Sequence, residues 1–298
     1  MEKELKKARF HLLKLEDQKE YQQFFRKMPG DISSRMYFAF MQIWLPQAQV
    51  YVRETERFLL LLMHDAATDR LCCFPPLGDW EAYSLTRPLE TYRSVFKNLN
   101  RPFVMANVCE WMLPKLQAAG LSRATMRKSS DECDCQYMAR DYTFSLKREQ
   151  TRTELNRIEE SQPLEWLDYN EQTHDAFLNA LCEVYGKRLK KVDCPSFFAR
   201  MLSLAKPLDM TLRMLKSNDT VLGVYACRKV ESEIEILLCY AAQRPRAAEA
   251  VVRQDINRNV DAQTSCLRLS GVFHDGSLIA GRLAEIRSDQ PFNYTLIE

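Results

Sequence analysis

The segment Gln243-Arg244-Pro245-Arg246-Ala247-Ala248 joins a polar strand exit to two arginines and two small residues, where a helix is expected to begin. A helix N-terminus presents free backbone N–H groups and positive potential, so such a place can hold a phosphate. Close approach of a phosphate to backbone favours glycine, whereas the central position here is Arg246 and Pro245 removes one donor. Arg244 and Arg246 can hold phosphate through their guanidinium groups instead; the plainer alternative is a polar helix start with solvated arginines. Upstream, Glu233 and Glu235 alternate on an expected strand. Either can act as general base in the acylation of an amine, and either can equally belong to a solvated face. Tyr240, near the end of the same strand, is placed to protonate a leaving group or to pack in the core.

Other chemistry has less support. Asp131-Glu132-Cys133-Asp134-Cys135 offers one Cys-x-Cys without a second ligand pair, and His64, His174 and His274 are scattered, so no metal is expected. There is no Gly-x-Ser-x-Gly elbow and no Cys/His pair at a diagnostic spacing. The run Gly186-Lys187-Arg188-Leu189-Lys190-Lys191 ends an expected helix, where cations complement the dipole. With Arg148, Arg152 and Arg157 it is also a candidate positive face for tRNA or an anionic lipid.

Charge balance limits these options. The 298 residues carry 42 Lys and Arg against 40 Asp and Glu, a formal net charge of +2. No global field draws in nucleic acid or an acidic membrane, so any such binding needs a local patch. A hydrophobic fraction of 46% with 28% charged residues is that of an ordinary globular chain, long enough for two cores. The charged N-terminus has no apolar leader and the longest apolar runs are short, so a cytoplasmic protein without a membrane span is expected, its ten cysteines reduced and mostly buried.

The elements that must position these residues repeat a grammar. A strand at 11–15, a helix at 17–27, an aromatic segment around Tyr37, Phe38, Phe40 and Trp44, and strands at 50–53, 57–64 and 70–74 open the first half. A helix from about Trp80, a strand at 103–108, a helix at 110–119 stopped by Gly120, and a strand at 142–146 complete it. A charged connecting helix is expected at 147–162. The second half reads as a strand at 164–168, a helix capped by Asn170, and a helix after Pro195. Strands at 210–215, 221–229 and 234–242, a helix at 246–259, a strand at 267–272, a helix at 278–286 and a strand at 292–297 follow. The order β-α-α-β-β-β-α-β-α-β is that of the GNAT fold, and the first half follows it with an insertion at 57–100. The expected class is therefore α/β (α+β): two tandem GNAT-like domains, 1–150 and 151–298, each a mixed, largely antiparallel sheet flanked by helices.

Phe58-Leu59-Leu60-Leu61-Leu62, then Phe74-Pro75-Pro76-Leu77-Gly78-Asp79, then Asp141-Tyr142-Thr143-Phe144-Ser145-Leu146 with its basic continuation 147–156, together resemble the phosphatidylglycerol lysyltransferase C-terminal-like family. That family is similar in fold to the Fem-type peptidoglycan aminoacyltransferases, and both are tandem GNAT folds. The resemblance implies a cleft between two domains. It also implies transfer of an acyl or aminoacyl group, from acyl-CoA such as acetyl-CoA or from aminoacyl-tRNA, to an amine or hydroxyl of a small-molecule, lipid or peptide acceptor. In working acetyltransferases of this fold the cofactor loop reads Gln/Arg-x-x-Gly-x-Gly/Ala, which aligns with Gln243, Arg244, Arg246, Ala247 and Ala248 here. An Asn-Arg-Glu-like stretch near the family's C-terminus has its counterpart in Ile256-Asn257-Arg258-Asn259, without the acid. The alternative is a catalytically inactive GNAT-fold module that binds a small ligand or a protein partner.

Overall fold

Five consecutive apolar residues, Phe58 to Leu62, cannot alternate between core and water, so they need a strand covered on both faces. The computed structural model describes residues 1–30, 32–44, 48–128, 135–138, 153, 160, 163–186, 193–242, 248–269 and 294–298, and all five of these residues are buried in it. A short helix that the residue pattern does not announce, α1 (Glu2–Lys7), opens the chain. Glu2 and Glu4 lie in its first turn and Lys6 and Lys7 in its last, complementing the dipole, and Leu5 is buried. The strand expected at 11–15 is only β1 (His11–Leu12), because the Asp17 carboxylate accepts from Lys14 N at 2.7 Å and turns the chain. Then come α2 (Gln18–Phe25) and α3 (Phe38–Trp44), where Tyr21 meets the edge of Phe38 at 5.3 Å between ring centroids. The aromatic segment is packing: Tyr37, Phe38 and Phe40 are buried.

The expected meander follows as β2 (Ala48–Glu54), β3 (Phe58–Asp65) and β4 (Arg70–Cys73), antiparallel throughout. Asp65 makes its turn by accepting from the N–H of Ala67 and Thr68. Next is β5 (Leu77–Gly78), whose Gly78 has φ of 149° and would set a Cβ 2.5 Å from Arg57 O. The following helix, α4 (Thr86–Asn98), starts later than Trp80. Trp80 donates from Nε1 to Pro76 O at 2.7 Å, and Asp79 accepts from Glu81 N and Ala82 N, so these residues form a closed turn. After β6 (Val104–Val108), α5 (Leu113–Leu116) leads to a stop at Gly120, which takes φ of 114° as a terminator should. Beyond it lies β7 (Thr125–Lys128).

The rest of the chain contributes β8 (Cys135–Met138), β9 (Glu165–Asp168), α6 (His174–Tyr185), α7 (Cys194–Ser203), β10 (Met210–Ser217), β11 (Thr220–Val230), β12 (Glu233–Ala241), α8 (Ala248–Ile256), β13 (Cys266–Leu269) and β14 (Tyr294–Ile297). Asn170 caps as expected, its Oδ1 accepting from Gln172 N at 2.8 Å and Thr173 N at 3.1 Å. Cys135 belongs to a strand, with Leu269 opposite it in β13. The strand expected at 142–146, the connecting helix apart from residues 153 and 160, and the helix at 278–286 lie outside the described residues.

Two compact units result: Met1–Cys133 with Pro291–Glu298, and Asp134–Gln290. They differ from contiguous halves 1–150 and 151–298, because β14 pairs with β6 and β7 of the first unit while β8 pairs with β13 of the second. The first sheet runs β1-β2-β3-β4-β6-β14-β7, the second β8-β13-β12-β11-β10-β9. In both, four antiparallel strands lead to one parallel pair; one further antiparallel strand follows in the second sheet and two follow in the first. In the first sheet the parallel contact is the single pair Cys73 with Met105, so the sheet opens there.

In the second unit α8 lies against β11 and β12, closing a cluster of Leu215, Tyr225, Ile236, Val251, Val252 and Ile256 among others. Gly223 allows this approach. A methyl group on it would stand 2.3 Å from Val252 Cγ2 and 3.2 Å from Tyr240 O. Gly223→Ala is expected to cost about 1–3 kcal/mol by overpacking, read as a lowered urea midpoint; an unchanged midpoint would mean that α8 yields freely.

Candidate active site

β11 and β12 join through Glu231 and Ser232, with Glu231 at φ of 55°. A two-residue hairpin loop fixes register. Val230 stands opposite Glu233, Lys229 opposite Ile234, and Arg228 opposite Glu235. The ladder then slips, for Cys227 faces Ile236 but Ala226 faces Leu238, leaving Leu237 as a bulge. The extra residue reverses the alternation. Before it Ile234 and Ile236 join the cluster under α8; after it Cys239 and Ala241 do. Glu235, Leu238 and Tyr240 therefore share the opposite face by register, although 235 and 240 differ in parity. Tyr240 is partly buried, and its ring still reaches members of that cluster.

Glu235 is not on a solvated face. Its side chain and that of Arg228 are each 5% exposed, with Arg228 Nε 3.5 Å from Glu235 Oε2. The hairpin register supplies the cation that makes burial of the acid tolerable. Glu233 opens β12 half-buried. Ala248, expected to touch a cofactor, is the first residue of α8 and 1% exposed, its methyl group part of the core, so only its main chain can face a ligand. Gln243, Arg244, Arg246 and Ala247 lie outside the described residues, as do Lys187 to Lys191 and Arg148, Arg152 and Arg157. Arg228 is the charged residue of this strand pair that motif reading passes over. Its signal was the hairpin itself, since a turn at 231–232 pairs 228 with 235.

A second polar cluster sits at the far end of α8. Asp255 is 2% exposed and accepts from Arg213 Nη1, from Tyr225 OH at 2.8 Å and from Arg258 Nη1 at 2.9 Å. Arg213 also reaches Asp168 through Nε at 2.6 Å and lies 4.9 Å over the Trp166 ring. Burial first, and the Asp255 hydrogen bond second, push the Tyr225 phenol well up, so it stays a donor. Every group here has a partner, which marks the cluster as a brace between α8 and strands β9 to β11.

Burial also pushes the Cys227 thiol, with some help from Asp255, and the Cys72 thiol, with some help from Asp65, up to about 12. Thiols held protonated in this way are poor nucleophiles. Among the described residues no group of three or more His, Cys, Asp and Glu is arranged to hold a metal ion. In the first unit an open groove of about 610 Å³ is lined by Lys7, Arg53, Arg87 and Glu90 among other residues.

No protein-family model matches the sequence, nor does any curated protein. Solved structures do match. A conserved protein of unknown function from Bacteroides thetaiotaomicron VPI-5482 superposes with a TM-score of 0.76 at 17% identity, over 97% of this chain and 98% of that one. The C-terminal domain (DUF2156) of a protein provisionally named lysylphosphatidylglycerol synthetase, from Agrobacterium fabrum, gives 0.56 at 13% identity over 95% and 92%. A tandem GNAT protein from the clavulanic acid biosynthesis pathway gives 0.54 at 10% identity over 97% and 96%. The chain has a GNAT-type fold. The resemblance read from the sequence thus holds at the level of architecture, since identities this low speak to fold alone. Among the described residues of this GNAT-type chain, no helix is long and apolar enough to cross a membrane.

Proposed function

We propose that this GNAT-type chain is an acyl- or aminoacyltransferase that moves its group from acyl-CoA or aminoacyl-tRNA to an amine or hydroxyl. The observation that carries the reading is the bulge at Leu237, which sets Tyr240 at the exit of β12 on the same face as Glu235. A bulge interrupts the ladder, and main-chain N–H groups freed from pairing are the usual means of stabilising a carbonyl oxyanion. In the proposed step the acceptor's nitrogen or oxygen attacks the donor carbonyl carbon, and the oxyanion collapses to expel a thiol sulfur or a ribose oxygen. Tyr240 protonates that leaving group, while Arg244, Arg246 and the main chain of Gln243, Ala247 and Ala248 hold the donor's phosphates. Glu235 and Glu233 lie about 13 and 20 Å from Tyr240 along the strand, too far to share its proton. The attacking and leaving atoms share one carbon, so neither glutamate is the base in a step whose acid is Tyr240, and the proton shed by the acceptor passes to water.

Thermal stability with acetyl-CoA, CoA and aminoacyl-tRNA added separately tests the donor. At about 100 times Kd the gain is roughly 2.7 kcal/mol; no gain with any of the three sinks the transferase reading. Tyr240→Phe is expected to lower turnover about 100-fold or more with donor binding kept. The second reading, a binding module without catalysis, is favoured by Pro245 and Arg246 standing where a phosphate would approach backbone. Donor binding without turnover would select it.

A further inference from the structure

The open groove of about 610 Å³ in the first unit is bounded by α1, by one side of α4 and by Arg53 of β2. Its size is that of a small-molecule site. Of its ten lining residues only Ala8 and Val95 are apolar, so an apolar ligand gains little there. Helix α4 contributes Arg87, Thr91, Ser94 and Asn98. Their steps of four, three and four residues set them in one row about 16 Å long. Leu89, Tyr92 and Phe96 of the same helix are buried, which fixes that row in place. Arg53 is half-buried, and its Nη1 donates at 3.0 Å to the carbonyl of Ala8, the residue that caps α1. This bond positions the guanidinium. Its other N–H groups have no acceptor among the described residues and are not shut away from water. Arg87 is exposed and has no ion pair among the described residues, whereas Lys7 and Glu4 pair with each other at 2.6 Å. Two guanidinium groups with open donors therefore face one groove, and such forks take the oxygens of a carboxylate or a phosphate. Glu90 is the remaining charge. A carboxylate beside those arginines repels a bare anion but accepts from hydroxyl groups. Thr91 Oγ1 donates to Arg87 O at 3.0 Å and keeps its acceptor capacity, while Ser94 and Asn98 can donate and accept. An anionic group on a hydroxylated body satisfies both sets.

We propose that the groove between α1 and α4 binds a small polyol that carries a carboxylate or a phosphate. The anionic oxygens accept from Arg53 and Arg87, and the hydroxyl groups bond with Glu90, Ser94 and Asn98. The site is built wholly within the first unit and does not require that the chain be a transferase.

The test is calorimetric titration of the full chain with D-glucuronate, glucose 6-phosphate, glucose, acetate and inorganic phosphate at constant ionic strength, together with NMR of the Asn98 side-chain amide. Glucuronate, glucose 6-phosphate or both are expected to bind saturably and to shift the Asn98 signal. Glucose, acetate and phosphate should each bind about 10-fold more weakly or worse. Glucuronate acting alone identifies a sugar-acid site; glucose 6-phosphate acting alone identifies a phosphate-ester site. Arg87→Ala, a change at an exposed position that should leave Tm where it is, should weaken binding about 10-fold, and Arg53→Gln at least as much. No saturable binding of either anionic sugar overturns the proposal. So does binding of glucose, acetate or phosphate as tight as theirs, or an affinity unchanged in either arginine variant. Should Arg53→Gln fail to fold, the native titrations and Arg87→Ala decide between the same outcomes.

Discussion

Asp255→Ala is expected to lower the stability of the second unit by about 3–5 kcal/mol, among the largest effects of any single change outside the apolar core. The carboxylate is 2% exposed and receives Arg213, Tyr225 and Arg258 at once. Removing it leaves the Tyr225 hydroxyl buried without an acceptor and Arg213 with only Asp168, whose side chain is 72% exposed and screened by solvent. Helix α8 would lose its tie to β10 and β11, so amide exchange should rise on those strands and leave the first unit unchanged. Arg258→Ala separates the contributions, because Arg258 is 66% exposed and its loss should cost under about 1 kcal/mol. An Asp255→Ala variant within about 1 kcal/mol of the native protein would mean that water enters and satisfies Arg213 and Tyr225, and that the cluster is no brace.

Local chemistry made much of this fold legible. Asn170, Gly120, the turn at Asp65 and the apolar run at 58–62 act through their immediate neighbours, and each does what its residue type predicts. What failed to show depends on partners distant in sequence. Nothing within Tyr294 to Ile297 says that it pairs with Val104 to Val108 and Thr125 to Lys128, nearly two hundred residues earlier, instead of closing the second sheet. An alternating strand fits either sheet; only the assembled ladders choose. Trp80 illustrates the same limit at short range. Its helix-like surroundings gave way to a turn once the indole found Pro76 O.

The candidate site was half legible for a related reason. Strand alternation predicts that Glu235 and Tyr240 face opposite ways, and it is correct up to Ile236. The bulge at Leu237 then inverts it, and a bulge in an apolar run such as Ile-Leu-Leu-Cys has no residue signature of its own. Residue type offers Glu235 a choice between catalysis and solvent, whereas the hairpin register offers a third place beside Arg228. Charged residues on facing strands, counted outward from a two-residue turn, are pairs that a sequence can disclose.

That pair should behave in a way no apolar contact does. Arg228→Met alone and Glu235→Leu alone are each expected to cost about 3–5 kcal/mol, since each removes the buried counter-charge of the other in a site that is 5% exposed. The double variant should recover most of that loss, to within about 1 kcal/mol of the native protein or better, because two apolar side chains of similar volume need no desolvation. The coupling energy from the four proteins, measured by urea unfolding, would then be several kcal/mol and opposite in sign to the single losses. Ordinary neighbours in a packed core behave differently, for two truncations there deepen one cavity and their costs accumulate. Additive losses in the double variant would show that Arg228 and Glu235 are held by separate surroundings, and that the 3.5 Å approach between them contributes nothing to the fold.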